Sequence, residues 1–193
     1  MVNYCKRSMT KYTCYSGLLS FAISYIFIAW SISVNPWFSL FRNALSDLGR
    51  VGLDTAYIFN SGLMLAALIA FTYLPCLLEF FNSRIGHMTV GVFLVAMFHL
   101  LLIGVFPEGT SPHGFVSYEF FVLMTVTMFL TGISLAVEGM LKYGFLLVLV
   151  FILSLLGSTI IKWPSVSLLE LYNIFLYNIG VAVLTYLQIT RHR

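Results

Sequence analysis

Long apolar runs alternate along the chain with short polar breaks. Six runs stand out, at 14–34, 57–80, 88–106, 115–137, 145–161 and 169–189. A helix that crosses a bilayer needs about 20 predominantly apolar residues. The pattern therefore predicts an all-α, polytopic bundle of six transmembrane helices, the fifth being the shortest. The breaks at 81–87, 107–114, 138–144 and 162–168 read as hairpin connections, whereas 35–56 is a much longer loop between the first two helices. Long ordered loops are often functional. Pro36, Pro107 and Pro164 each fall at the end of a run, where a helix stops without losing an internal hydrogen bond. Pro75 lies within the second run and predicts a kink there.

Composition agrees. Of 193 residues, 60% are hydrophobic and 9% charged, against about 25% charged in a soluble domain. Too little interior exists to hide so many apolar side chains from water, so lipid must solvate the outer surface. The whole chain, 1–193, reads as a single membrane domain, without a repeat or a flexible linker. The first run is longer than the core of a signal peptide and no small-residue cleavage pattern follows it, so it is expected to stay as a signal anchor. A net charge of +3 without a basic block gives no footprint for nucleic acid.

Charge also orients the bundle. Lys6, Arg7, Lys11, Arg84, Lys142, Arg191 and Arg193 lie on one side, and Arg42, Arg50 and Lys162 on the other. By the positive-inside rule both termini are cytoplasmic, in a cell membrane. Asp47, Asp54, Glu108, Glu119 and Glu170 then gather at the outer end. Cys5, Cys14 and Cys76 match no metal or redox spacing. They fall at the inner end, where thiols normally stay reduced, so no disulfide is expected.

Polar groups inside spans are costly and usually face the bundle interior. Glu170, Asn173 and Tyr177 share one face of the sixth helix, and Ser154, Ser158 and Lys162 rise along the fifth. His99 lies in the third, Glu119 near the start of the fourth, and Asn60 and Ser61 near the start of the second. Each has a structural explanation taken singly. His99 suits an interhelical hydrogen bond, Ser154 and Ser158 suit close packing, and Glu119 suits an ion pair with Lys162 or Arg50. Together they point to a cavity open at the outer face, with Arg42, Asn43, Asn60, Glu119, Lys162, Glu170, Asn173 and Tyr177 as ligand-binding candidates.

Two outer loops carry the remaining chemistry. Ser46-Asp47-Leu48-Gly49 sets a serine beside a carboxylate before a glycine. The pair reads either as a local cap or as a group over the bundle mouth, with Arg42 or Arg50 to neutralise it or hold a phosphate. In the second loop, Glu108 and His113 flank a Gly-Thr-Ser-Pro turn, and an acid and an imidazole can form a base and its orienter. The catalytic candidates are thus Asp47, Ser46, Glu108, His113 and His99. A metal site is not expected, since too few ligands lie on the proper side, and no cofactor is implied.

The stretch Asn43-Ala-Leu-Ser-Asp-Leu-Gly49, then Phe59-Asn-Ser-Gly-Leu63, then Phe106-Pro-Glu108 with a following His113, resembles an uncharacterised archaeal and bacterial membrane family, domain of unknown function 998. The resemblance covers nearly the whole chain and implies architecture and site positions, not a reaction. More distantly, Ser-Asp-Leu-Gly and the Phe-rich helix start resemble the Frag/DRAM/Sfk group of six-span proteins, which implies a link to lipid asymmetry and glycolipid-anchor maturation.

The reading that follows is a multi-pass membrane protein with an outward-facing polar pocket that binds or processes a lipid at the outer leaflet. An intramembrane hydrolase of a lipid or amide, and a non-catalytic subunit of a larger membrane complex, are the alternatives. Whether the chain is an enzyme stays open. The expected partners are the bilayer and a lipid ligand in the outer pocket, with a membrane-protein partner or a homo-oligomer left open.

Overall fold

The computed structural model describes residues 12–191. Six helices among them are long and apolar enough to cross a membrane. The chain is an integral, multi-pass membrane protein. The helices are α1 (Ser16–Ser33), α2 (Ala56–Phe71) with its continuation α3 (Leu74–Phe80), α4 (Arg84–Val105), α5 (His113–Val137), α6 (Leu141–Ile160) and α7 (Val166–Arg191). A 3-10 turn, Leu45–Gly49, sits in the long first loop. The second span is interrupted at Thr72 and Tyr73, and Pro75 opens α3 within its first two positions, as the kink requires.

Several helices start earlier than apolar runs reveal. Ser83 caps α4 by accepting the Gly86 N–H at 3.0 Å, so the helix begins at Arg84, ahead of the apolar residues. Lys142 similarly falls in the first turn of α6. Charged and polar side chains there reach past the hydrocarbon boundary while their backbone is already helical.

The helices pack in chain order as a ring. α1 lies on α2, α2 on α4, α4 on α5 and α5 on α6, and α7 closes the ring against α6 and α1 and also touches α5. The α5–α6 crossing depends on glycine. A Cβ on Gly144 would meet the Gly132 carbonyl oxygen at 2.7 Å and the Ala136 nitrogen at 2.9 Å, both backbone atoms. In lipid, where apolar faces gain nothing by leaving the solvent, such close backbone approach is a main source of helix association.

The start of α1 and the end of α7 lie at one end of the bundle and the long loop at the other. At the terminal end, the structure corrects the expectation of free thiols: Cys14 and Cys76 form a disulfide, with Cα atoms 5.2 Å apart. Both residues are fully buried. The break before α3 turns Cys76 toward the start of α1, a pairing that a separation of 62 residues does not announce. Cys5 lies outside the described residues.

Candidate functional site

The long loop is sewn to its surroundings by groups that would otherwise be stranded polar atoms near lipid. The Asn35 amide donates to the Ser31 carbonyl at 2.8 Å, and its oxygen accepts from Trp37 Nε1 and Thr55 Oγ1. The Asn43 carbonyl accepts from both the backbone N–H and the hydroxyl of Ser167, tying the loop to the start of α7. Asn60 on α2 donates to the Gly49 carbonyl at 2.9 Å. Gly49 has to be glycine at this contact, because a Cβ would run into the Asn60 side chain and the Phe59 ring. The loop thus forms a fixed cap over one end of the bundle.

Asp47 closes its own turn. Its Oδ2 accepts the Ala44 N–H at 3.0 Å and the Asn43 amide at 3.2 Å. This is the local-cap arrangement. Arg42 is exposed, and Arg50 stacks over Trp37 at 5.7 Å from the ring centre.

Beside the turn, four side chains form a chain of contacts. Ser46 Oγ donates to Glu108 Oε2 at 3.3 Å, and Glu108 Oε2 lies 2.9 Å from His113 Nε2. Ser117, one helical turn beyond His113, places its Oγ 3.2 Å from the same Nε2. His113 is buried, and its Nδ1 is 2.8 Å from the Phe106 carbonyl. A carbonyl only accepts, so Nδ1 carries a proton. Nε2 faces both the Glu108 carboxylate and the Ser117 hydroxyl. In a serine–histidine–carboxylate relay, the carboxylate and the serine occupy opposite imidazole nitrogens. Here a backbone carbonyl holds one nitrogen, and Glu108 and Ser117 compete for the other. The arrangement pins the second loop to the first loop and to α5.

Across the bundle end, Glu170 of α7 accepts the Leu45 N–H at 2.7 Å. The ionisable groups that act on it electrostatically are Asp47 and Glu108, both acids.

A groove of about 510 Å³ opens between α5 and α6, with α7 as its floor. Its walls are largely apolar and include Tyr118, Val122 and Leu155, all exposed on the outer surface of the bundle. The groove thus faces sideways, into the zone occupied by lipid. Its floor holds the polar residues. Asn173 accepts from Ser154 and donates to Ser158 Oγ at 2.9 Å and to the Leu169 carbonyl at 3.0 Å. The Tyr177 hydroxyl donates to the Phe121 carbonyl at 2.9 Å and lies 2.8 Å from Thr125 Oγ1. At the long-loop end the groove is bounded by Ser117 and Glu170. The same two residues, with Ser46, line a smaller cavity of about 50 Å³. Ser117 and Glu170 therefore stand between the lipid-facing groove and the capped bundle end.

The predicted residues thus divide into groups. Ser46, Glu108 and His113 meet one another, and Glu170, Asn173 and Tyr177 line the groove. Asn43, Asp47 and Asn60 hold the loop. His99 stands apart: its Nδ1 is satisfied by the Val95 carbonyl at 2.9 Å and its ring packs on Phe98 and Phe115. Glu119 is half-buried and makes no hydrogen bond or ion pair among the described residues, so the expected pair with Lys162 or Arg50 is not formed. Lys162 is exposed beyond the end of α6. Ser117 and Thr125 escaped the sequence reading. The position of Ser117 four residues after His113 was the available signal, since that spacing places both on one helical face. Among the described residues, no cluster of histidine, cysteine and acidic side chains could hold a metal ion.

A family model described as "Protein of unknown function (DUF998)" matches residues 18–187. The chain belongs to the DUF998 family. The match runs from α1 to near the end of α7, so the long loop, the Glu108–His113 contact and the groove all lie in the family's shared region. No curated protein and no solved structure matches the chain.

Proposed function

We propose that this DUF998 protein binds a membrane lipid in the groove between α5, α6 and α7. The observation that carries the reading is a cavity of about 510 Å³ that opens sideways from a membrane-spanning bundle. That volume falls in the ~300–1,000 Å³ range of small-molecule sites, which are typically apolar with a few placed polar groups. The walls suit acyl chains, and Ser117 and Glu170 suit a headgroup. The capped loop above would keep the polar end of the site away from bulk water. The charge count supports an outer-leaflet position for that end in the cell membrane, with the ligand entering laterally from that leaflet. The hydrolase alternative draws little support from His113, because Glu108 and Ser117 meet the same imidazole nitrogen and not the opposite nitrogens of a relay.

Native mass spectrometry of the purified chain tests the proposal. The wild type should release from detergent with lipid bound. Leu155→Trp, which fills the groove from an exposed wall position, should lose most of that lipid while melting at the same temperature. Equal lipid retention by both proteins would exclude the groove as the site.

A further inference from the structure

The polar end of the groove has a chemical bias. Among the described residues, Glu170 is the only ionisable acid or base lining it apart from the tyrosines, and no lysine, arginine or histidine shares the wall. One carboxylate oxygen of Glu170 accepts the Leu45 N–H. A carboxylate has about four acceptor positions, so capacity remains for a donor arriving along the groove. The neighbouring ionisable groups, Asp47 and Glu108, add further negative charge. The bases nearest in sequence to these three acids do not line the groove: Arg50 lies over Trp37, and Arg42 and Lys162 are exposed. The other polar residues of the floor are already engaged with one another, Asn173 with Ser154 and Ser158, and Tyr177 with Phe121.

From this arrangement we infer that the groove selects a lipid whose headgroup carries a primary ammonium, held by Glu170. The inference rests on the lipid-binding reading above and specifies its ligand. An ammonium supplies both the opposite charge and the N–H donors that a carboxylate in a largely apolar wall lacks. An anionic headgroup would meet three acids and no lining base. A quaternary ammonium would bring charge without donors, and a neutral glycerol hydroxyl a donor without charge.

The test is a lipid competition on delipidated full-length protein in nanodiscs or detergent, read by native mass spectrometry. The four probes are phosphatidylethanolamine, phosphatidylcholine, diacylglycerol and phosphatidylglycerol with matched acyl chains. Phosphatidylethanolamine should be retained over phosphatidylglycerol by about tenfold or more, the worth of one charge-assisted hydrogen bond. Phosphatidylcholine and diacylglycerol should fall between them. Glu170→Gln keeps the side-chain shape and an oxygen for the Leu45 N–H. It should reduce the ethanolamine preference to the level of choline, with total lipid bound almost unchanged. Equal retention of phosphatidylglycerol, a preference for diacylglycerol, or an ethanolamine preference that survives Glu170→Gln would overturn the assignment. These outcomes are separate from failure of the groove itself, which Leu155→Trp reports through the total lipid bound.

Discussion

At the scale of single residues, His113 and Glu119 make opposite predictions although both are polar groups near the start of α5. His113 is buried and engaged at both nitrogens. Replacing it with alanine strands the Phe106 carbonyl and removes the partner of Glu108. Each unsatisfied buried group costs about 1–3 kcal/mol, so His113→Ala should lower the melting temperature in detergent by several degrees. Glu119 is half-buried with no hydrogen-bond partner, and Glu119→Gln should change stability by less than about 0.5 kcal/mol. A large loss from Glu119→Gln, or none from His113→Ala, would reverse these roles. Residue type and depth in the sequence suited Glu119 to an ion pair with Lys162 or Arg50. That pairing does not form, because depth along a helix does not reveal rotation about its axis. His99 shows the same limit: its self-contained bond to the Val95 carbonyl lets it sit away from the cluster. Glu170, Asn173 and Tyr177 were legible because their spacing on α7 put three polar groups on one face, and a face cannot turn away piecemeal.

The elements themselves were largely legible, since apolar runs of membrane-spanning length leave a helix little alternative. Their starts were not. Ser83 begins α4 ahead of the apolar run, by a capping bond that depends on local geometry. The groove is also an element-scale feature and was invisible in sequence, because it depends on how α5 and α6 cross. Gly144 and Gly132 bring the helices together toward the terminal end, while the cavity separates them toward the long loop. Gly144→Ala places a methyl group against backbone atoms that cannot rotate aside. It should destabilise the protein by about 1–3 kcal/mol through overpacking. Gly91→Ala is the matched control, because a Cβ there meets nothing within 4 Å. It should be neutral or stabilise by up to about 1 kcal/mol, since a glycine inside a helix has more freedom to lose on folding than alanine. Thermal melts of the two variants side by side give the comparison, and equal losses would show that the crossing does not depend on close approach.

At the scale of the whole molecule, two observations pull on orientation. The base count predicts cytoplasmic termini. The Cys14–Cys76 disulfide lies at that same end, and disulfides persist mainly in oxidising compartments. Both cysteines are fully buried, which shields the bridge from soluble reductants, so the charge count is the stronger guide to orientation. Ser111 and Lys142 are exposed at opposite ends of the bundle. In a background with Cys5→Ser, Ser111→Cys should react with an impermeant thiol reagent on intact cells and Lys142→Cys should not. The reverse labelling would turn the groove's polar end to the cytoplasmic leaflet. Alkylation of the denatured wild type without reductant should modify Cys5 alone of the three cysteines, and modification of all three would exclude the bridge.

Photo-crosslinking in a bilayer shows whether lipid occupies the lateral groove. A phospholipid with a diazirine in its acyl chain is mixed into vesicles that hold the full-length protein, and the adducts are mapped by peptide mass spectrometry. Exposed apolar residues cover much of the bundle, including Ile26 on α1 and Phe98 on α4, so the annular lipid supplies an internal background. Adducts should concentrate at Val122, Val126 and Leu155, well above the yield at Ile26 and Phe98. Adducts spread evenly over all these positions would contradict lipid occupancy of the groove.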